Sequence, residues 1–193
     1  MRLEDNPDRG RKVWLTESEV DQLMNAVEDT EARIGFMLMV HSGLRTKEVL
    51  RAKPADIQPM DGDQDSYKLR VWEGKGDKYR ETWIPDDLVQ FIRGYTDGDD
   101  PEDPLISSSR RTFLRRLQSA RETLQEDTGD DGWQYLSAHD LRRTWGTRAI
   151  EKDMAPTVIM QCGGWDDFRT FQRHYMGHHG DDVVAKEAAK VLR

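Results

Sequence analysis

Tyr67-Lys68-Leu69-Arg70-Val71-Trp72 and Arg80-Glu81-Thr82-Trp83-Ile84 alternate with a period of two, the pattern of strands with one buried face. Glu73 to Lys78, with Gly74 and Gly76, reads as the turn that joins them into a β-hairpin with lysines at its tip. Outward from this hairpin the chain changes to helical spacing. Upstream, Thr16-Glu17-Ser18-Glu19 is a capping box that opens a helix running to Val27. Ala32 to His41 is apolar and long enough for a buried helix, which Ser42-Gly43 breaks, and Thr46 to Ala52 forms a short further one. Downstream, Pro85 to Tyr95, the basic stretch Arg110 to Asp127, and His139 to Lys152 with Ser137 as its cap all read as helices. So do Pro156 to Gln161, stopped by Gly163-Gly164, then Thr170 to Met176 and a closing amphipathic stretch, Asp182 to Leu192. Asp97 to Pro104 and Asp127 to Trp133 are loops. This order predicts an α+β fold, mostly helical, with a small antiparallel hairpin or three-stranded sheet.

The 193 residues suit one domain with a sizeable core. Cys162 is the lone cysteine, so no internal disulfide can form, as suits a reducing compartment. No apolar run is long enough to span a bilayer, and Met1 to Lys12 is charged. The expectation is a soluble cytoplasmic protein with no membrane partner.

A net charge of -8 and a pI near 5.2 argue at first against nucleic acid. Yet the acidic residues run together, as in Asp61, Asp63 and Asp65 or Asp97, Asp99 and Asp100, and Arg outnumbers Lys. Such a surface fits a high-salt cell, where dense carboxylates hold water and ions. The cations also cluster, at Arg110, Arg111, Arg115, Arg116 and Arg121, and again at Arg142, Arg143 and Arg148. The acidic total then describes the solvent, and the arginine clusters a binding face. The plainer alternative is an acidic domain with ordinary ion pairs along its helices.

Three local patterns carry chemistry. In Gly43-Leu44-Arg45-Thr46-Lys47-Glu48 an arginine opens a helix with a carboxylate three residues on, placed to hold a guanidinium that forks onto phosphate. In His139-Asp140-Leu141-Arg142-Arg143 a proton-moving histidine and a fixed cation share one helical face. Gly163-Gly164-Trp165, Thr170 and Tyr175 form the third. Taken singly, each is more often a surface ion pair, a solvated basic face, or an aromatic in the core.

Together, and in this order, they resemble the tyrosine recombinase (phage integrase) family. Trp14-Leu15-Thr16-Glu17-Ser18-Glu19 is similar to its opening segment, Gly43 to Glu48 to its first arginine box, and Gly74-Lys75-Gly76-Asp77-Lys78-Tyr79-Arg80 to its hairpin lysine box. His139 to Arg142 and Gly164, Trp165, Thr170 and Tyr175 complete the set. The resemblance implies that fold and that chemistry: Arg45 and Arg142 clamp the phosphate, and Tyr175 attacks it to leave a 3′-phosphotyrosyl link. Lys75 serves as general acid, with Lys78 a rival at the same tip. His139 assists proton transfer, the Trp165 indole donates to a phosphate oxygen, and Glu48 orients Arg45. Lys78, Arg80, Arg111, Arg115 and Arg143 are expected to contact DNA. No metal or cofactor is implied. The interval from Trp165 to Tyr175 is one residue longer than the family's usual spacing. On a regular helix this turns Tyr175 by about 100°, so a bend or bulge is expected after Thr170.

The resemblance implies double-stranded DNA attachment sites as substrate and a homo-tetramer on paired sites, monomeric alone. It further implies a site-specific recombinase of viral or proviral origin, associated with the nucleoid, and the Asp-rich, Lys-poor composition adds the expectation of a salt-adapted archaeal host. The whole chain, 1–193, is expected to be one catalytic domain without the family's N-terminal core-binding domain. A type IB topoisomerase-like relaxing enzyme and a non-catalytic DNA-binding module of the same fold are the alternatives.

Overall fold

In the computed structural model of the chain, residues 1–6, 10–72 and 79–175 and the single positions 185, 188 and 189 are described. The chain opens with a hairpin that the sequence reading did not anticipate. Strand β1 (Arg2–Asn6) pairs antiparallel with β2 (Gly10–Trp14), Leu3 facing Val13. Helix α1 (Glu17–Ala26) follows, with the expected capping box: Thr16 accepts the Glu19 N–H, and Glu19 accepts the Thr16 N–H. Helix α2 (Thr30–Ser42) is capped by Asp29 and ends at Gly43, whose left-handed φ of 70° turns the chain into the short α3 (Thr46–Val49).

The expected sheet has three strands, in the order β3-β4-β5, all antiparallel. They are β3 (Ile57–Met60), β4 (Asp63–Val71) and β5 (Arg80–Ile84). Strand β3 escaped the sequence reading because it is a short edge strand with Pro59 in it and a register shift beside that proline. The tip of the β4–β5 hairpin, Glu73 to Lys78, lies outside the described residues, and Lys75 and Lys78 with it.

The remaining helices are α4 (Asp86–Tyr95), α5 (Arg110–Thr128), α6 (Ala138–Glu151), α7 (Pro156–Gly163) and α8 (Phe168–Tyr175). A 3-10 turn, Asp131–Tyr135, occupies part of an expected loop and buries Trp133. Helix α8 starts two residues earlier than expected and is unbroken, so the bend expected after Thr170 is absent from it. The closing helix expected over Asp182 to Leu192 lies outside the described residues except for Ala185, Ala188 and Ala189, which are helical. Among the described residues no helix is long and apolar enough to cross a membrane.

Helix α2 runs through the centre, buried on nearly every side through Ile34, Phe36, Leu38, Met39 and Val40. Such all-round burial explains its apolar composition. Helix α6 lies against it. Asp140, at the start of α6, accepts the Ser137 and Val13 N–H groups and pairs with Arg143. Thr144 accepts the Leu15 N–H, and Thr147 accepts the Trp14 indole. Chain entry is thus fixed along α6, one face of which feeds the site.

A second, smaller core of Trp145, Ala149, Ile159 and Phe171, with Trp83 and Trp165 against it, joins α6, α7, α8 and β5. The expected class is what forms: mostly helical, with small antiparallel sheets.

Candidate active site

Two glycine turns frame the site. At the first, Gly43 ends α2 and Arg45 caps α3. Glu48, buried at 4 % exposure, grips Arg45 twice. Its Oε2 accepts the Arg45 backbone N–H at 2.7 Å, and its Oε1 accepts Nη1 at 2.8 Å. The other end of that guanidinium, Nη2, donates to the Gly164 carbonyl at 3.2 Å. Arg45 keeps about a third of its side chain exposed, 35 %, so a held cation still faces solvent.

The second turn is Gly163-Gly164, where α7 stops with Gly164 at φ 67°. Arg142, fully buried on α6, donates Nη1 to the Gly43 carbonyl and Nη2 to the Gly163 carbonyl at 2.5 Å. Its guanidinium lies over the Trp165 ring, 4.3 Å from the centroid, in a cation–π contact. The two arginines are therefore stitched to the same pair of turns. Arg45 leaves the first and bonds the second; Arg142 bonds both. In these contacts neutral carbonyls and a π face orient the Arg142 guanidinium.

Trp165 also meets Trp145 at 5.7 Å and Phe171 of α8 at 5.0 Å. Trp83 continues the aromatic stack beyond Trp145 at 4.9 Å. The same ring that supports Arg142 thus packs on the helix that carries position 175. Position 175 follows Phe171 by one helical turn. His139 is exposed in the first turn of α6, three residues before Arg142.

The structure brings Arg45, Glu48, Arg142 and Trp165 together and adds Arg80. Expected on the DNA backbone, Arg80 is instead buried, and its Nη2 donates to Glu48 Oε2 at 2.7 Å. Burial pulls its guanidinium below the usual value, against the opposing pull of Glu48. Its side chain packs against Gly164, and Cys162, whose thiol burial pushes up, is close enough to feel its charge. A signal for this burial stood in the sequence: on a strand of period two, Arg80 shares a face with Thr82 and Ile84, both buried.

Arg143, also expected on DNA, turns the other way, pairs with buried Asp140, and sits over Trp14 at 5.5 Å. The basic cluster of α5 divides as well. Arg116 pairs with Asp29, and Arg121 donates to the Leu136 carbonyl. Arg111 and Arg115 are exposed, one turn apart, on a helix that packs on α1, α2 and the 3-10 turn.

Residues 13–180 match the phage integrase family. The chain belongs to that family. Among curated relatives, this integrase domain is 26% identical over 158 residues to the tyrosine recombinase XerA of Saccharolobus solfataricus, covering 82% of this chain and 50% of that protein. It is 28% identical over 162 residues to the XerA of Thermococcus onnurineus, covering 82% and 56%. The chain spans about half the length of the curated relatives it matches. The integrase fold is matched by a crystal structure of XerA recombinase, with a TM-score of 0.72 at 23% identity over 94% of this chain and 65% of that one. It is also matched by the catalytic domain of bacteriophage HP1 integrase, with a TM-score of 0.62 at 17% identity over 84% and 86%.

Proposed function

We propose that this chain is the catalytic domain of a site-specific DNA recombinase that cuts and rejoins strands through a 3′-phosphotyrosyl intermediate. The observation that carries this is the pair of arginines, Arg45 and Arg142, anchored on one pair of glycine turns. Family membership and archaeal relatives named tyrosine recombinases support it. So do structural neighbours described as a XerH recombinase bound to its difH substrate and a Tn1549 integrase in complex with DNA.

The chemistry follows from the substrate. A phosphodiester is anionic, and attack builds more charge on its nonbridging oxygens. Two fixed guanidinium groups stabilise that charge without reorganising. The Tyr175 oxygen attacks phosphorus, the P–O5′ bond breaks, and the leaving 5′-oxygen takes a proton from Lys75, with Lys78 as the alternative donor. His139 moves the tyrosine's proton, and the Trp165 N–H donates to a phosphate oxygen. The phosphotyrosyl link conserves the bond, so the reverse attack by a second strand's 5′-hydroxyl needs no external energy source. Arg111 and Arg115 contact DNA away from the reacting phosphate. The active assembly is a homo-tetramer on paired double-stranded sites. The host is an archaeon, as the archaeal relatives support, and a salt-adapted one, as the Asp-rich loops suggest; a proviral origin is part of the same proposal.

The test uses a pool of nicked duplexes with randomised sequence, from which the chain selects its own site by covalent capture in high salt. A denaturation-resistant protein–DNA adduct should form and should vanish in Tyr175→Phe. Arg45→Ala and Arg142→Ala should each lower its rate by about a hundredfold or more, as loss of one preorganised charge donor does. Wild-type rates in either arginine variant would sink the clamp, and an adduct persisting in Tyr175→Phe would sink the nucleophile.

A further inference from the structure

We propose that Arg80 is a positioning residue for the phosphate clamp, fixing the Arg45 guanidinium by holding both of its anchors from a separate element. This rests on the recombinase reading for its catalytic consequence, though not for its geometry.

Glu48 and Gly164 are the two groups that orient the Arg45 guanidinium. Arg80 touches both. Its Nη2 bonds Glu48 Oε2, the oxygen that also accepts the Arg45 backbone N–H. Its stem lies so close beneath Gly164 that a Cβ there would sit 2.8 Å from Arg80 Cδ and 2.9 Å from Nε. Without Arg80, the hydrogen bonds to the Glu48 carboxylate among the described residues all come from Arg45, the residue it has to hold, and the pair can swing together about their shared bonds. A third contact from β5 removes that freedom. Strand β5 is itself tied down nearby, because the Thr82 hydroxyl donates to the Ser42 carbonyl at 2.9 Å, one residue from Gly43.

Stability does not account for this arginine. Its Nε and Nη1 are buried and have no hydrogen-bond partner among the described residues. A buried guanidinium with unmade donors costs free energy that a well-packed apolar side chain would not. Its charge is compensated by Glu48, which already serves Arg45. An arrangement of this kind is understandable where orientation matters more than net stabilisation.

Two readouts decide it. In the first, R80K and R80M are compared with the unaltered chain on the captured nicked duplex, made with a phosphodiester or a methylphosphonate at the scissile position. The methyl group removes the charge that the clamp exists to stabilise. R80M should cleave the phosphodiester about a hundredfold more slowly, the cost of a misplaced reacting group. R80K should recover part of that loss, and the defect should shrink on the methylphosphonate, as it should for Arg45→Ala. An R80M variant that cleaves at the wild-type rate, or one with the same fold-loss on both substrates, overturns the proposal.

The second readout needs no DNA. Side-chain nitrogen NMR of Arg45 in the unliganded chain should show slow rotation of its Nη groups, and rapid averaging in R80M. Rapid averaging in both, or slow rotation in both, overturns the positioning role. If the unaltered chain forms no adduct at all, the recombinase reading fails, and the spectrum alone still decides Arg80.

Discussion

Gly43 carries two demands at one position. Its φ of 70° ends α2, and a Cβ there would lie 2.5 Å from the Trp145 ring. Alanine therefore adds left-handed strain and a clash with a buried indole, a destabilisation of about 2 kcal/mol in sum. The midpoint of urea unfolding should fall for Gly43→Ala, and an unchanged midpoint would contradict the packing described. At this scale much of the site was legible. Gly43, Arg45 and Glu48 are local in sequence, and helix geometry alone brings the last two together. Arg142 and Trp165 were legible as residue types but not as a stacked pair, because that contact crosses from α6 to the turn after α7. Arg80 is expected on DNA from its place in the hairpin lysine box, which carries no information on burial. Its strand parity with Thr82 and Ile84 pointed inward, and parity proved the better guide.

Among the elements, α6 does the most to organise the site, and Asp140 does the most to place α6. Its carboxylate caps the helix through Ser137, accepts the Val13 N–H from β2, and neutralises buried Arg143. Removing it takes a buried carboxylate from Arg143 and leaves the Val13 and Ser137 N–H groups without this acceptor. Asp140→Ala should lose on the order of 3 kcal/mol, as broken buried ion pairs do. Denaturant melts measure this directly, and a loss within error of zero would show that α6 is held by its apolar face alone. The helices were legible because their caps and periodicity are local signals, and the capping boxes at Thr16 and Ser137 set both starts. The β1–β2 hairpin was not. Of its paired positions only Leu3, Val13 and Trp14 are apolar, and the strand residues around them read as a charged tail. Helix α8 is the other departure. It begins at Phe168 and is helical without a break to Tyr175, with Phe171 seated on Trp165.

Across the whole molecule, a net charge of -8 coexists with a site built from arginines. The two are reconciled by where the charges sit. Asp61, Asp97, Asp99 and Asp100 are exposed on loops, while Arg45, Arg80 and Arg142 converge on two glycine turns. Net charge is therefore a poor guide to this domain's partner, and the order of motifs along the chain is a better one. The central claim is that Tyr175 becomes joined to DNA. The covalent adduct, digested with trypsin and nuclease, gives the most direct measurement. The fragment from His174 to Lys186 contains one tyrosine and three histidines. Fragment-ion mass spectrometry should place a nucleotide 3′-phosphate on Tyr175. A nucleotide on His174, on another fragment, or on none would contradict the account.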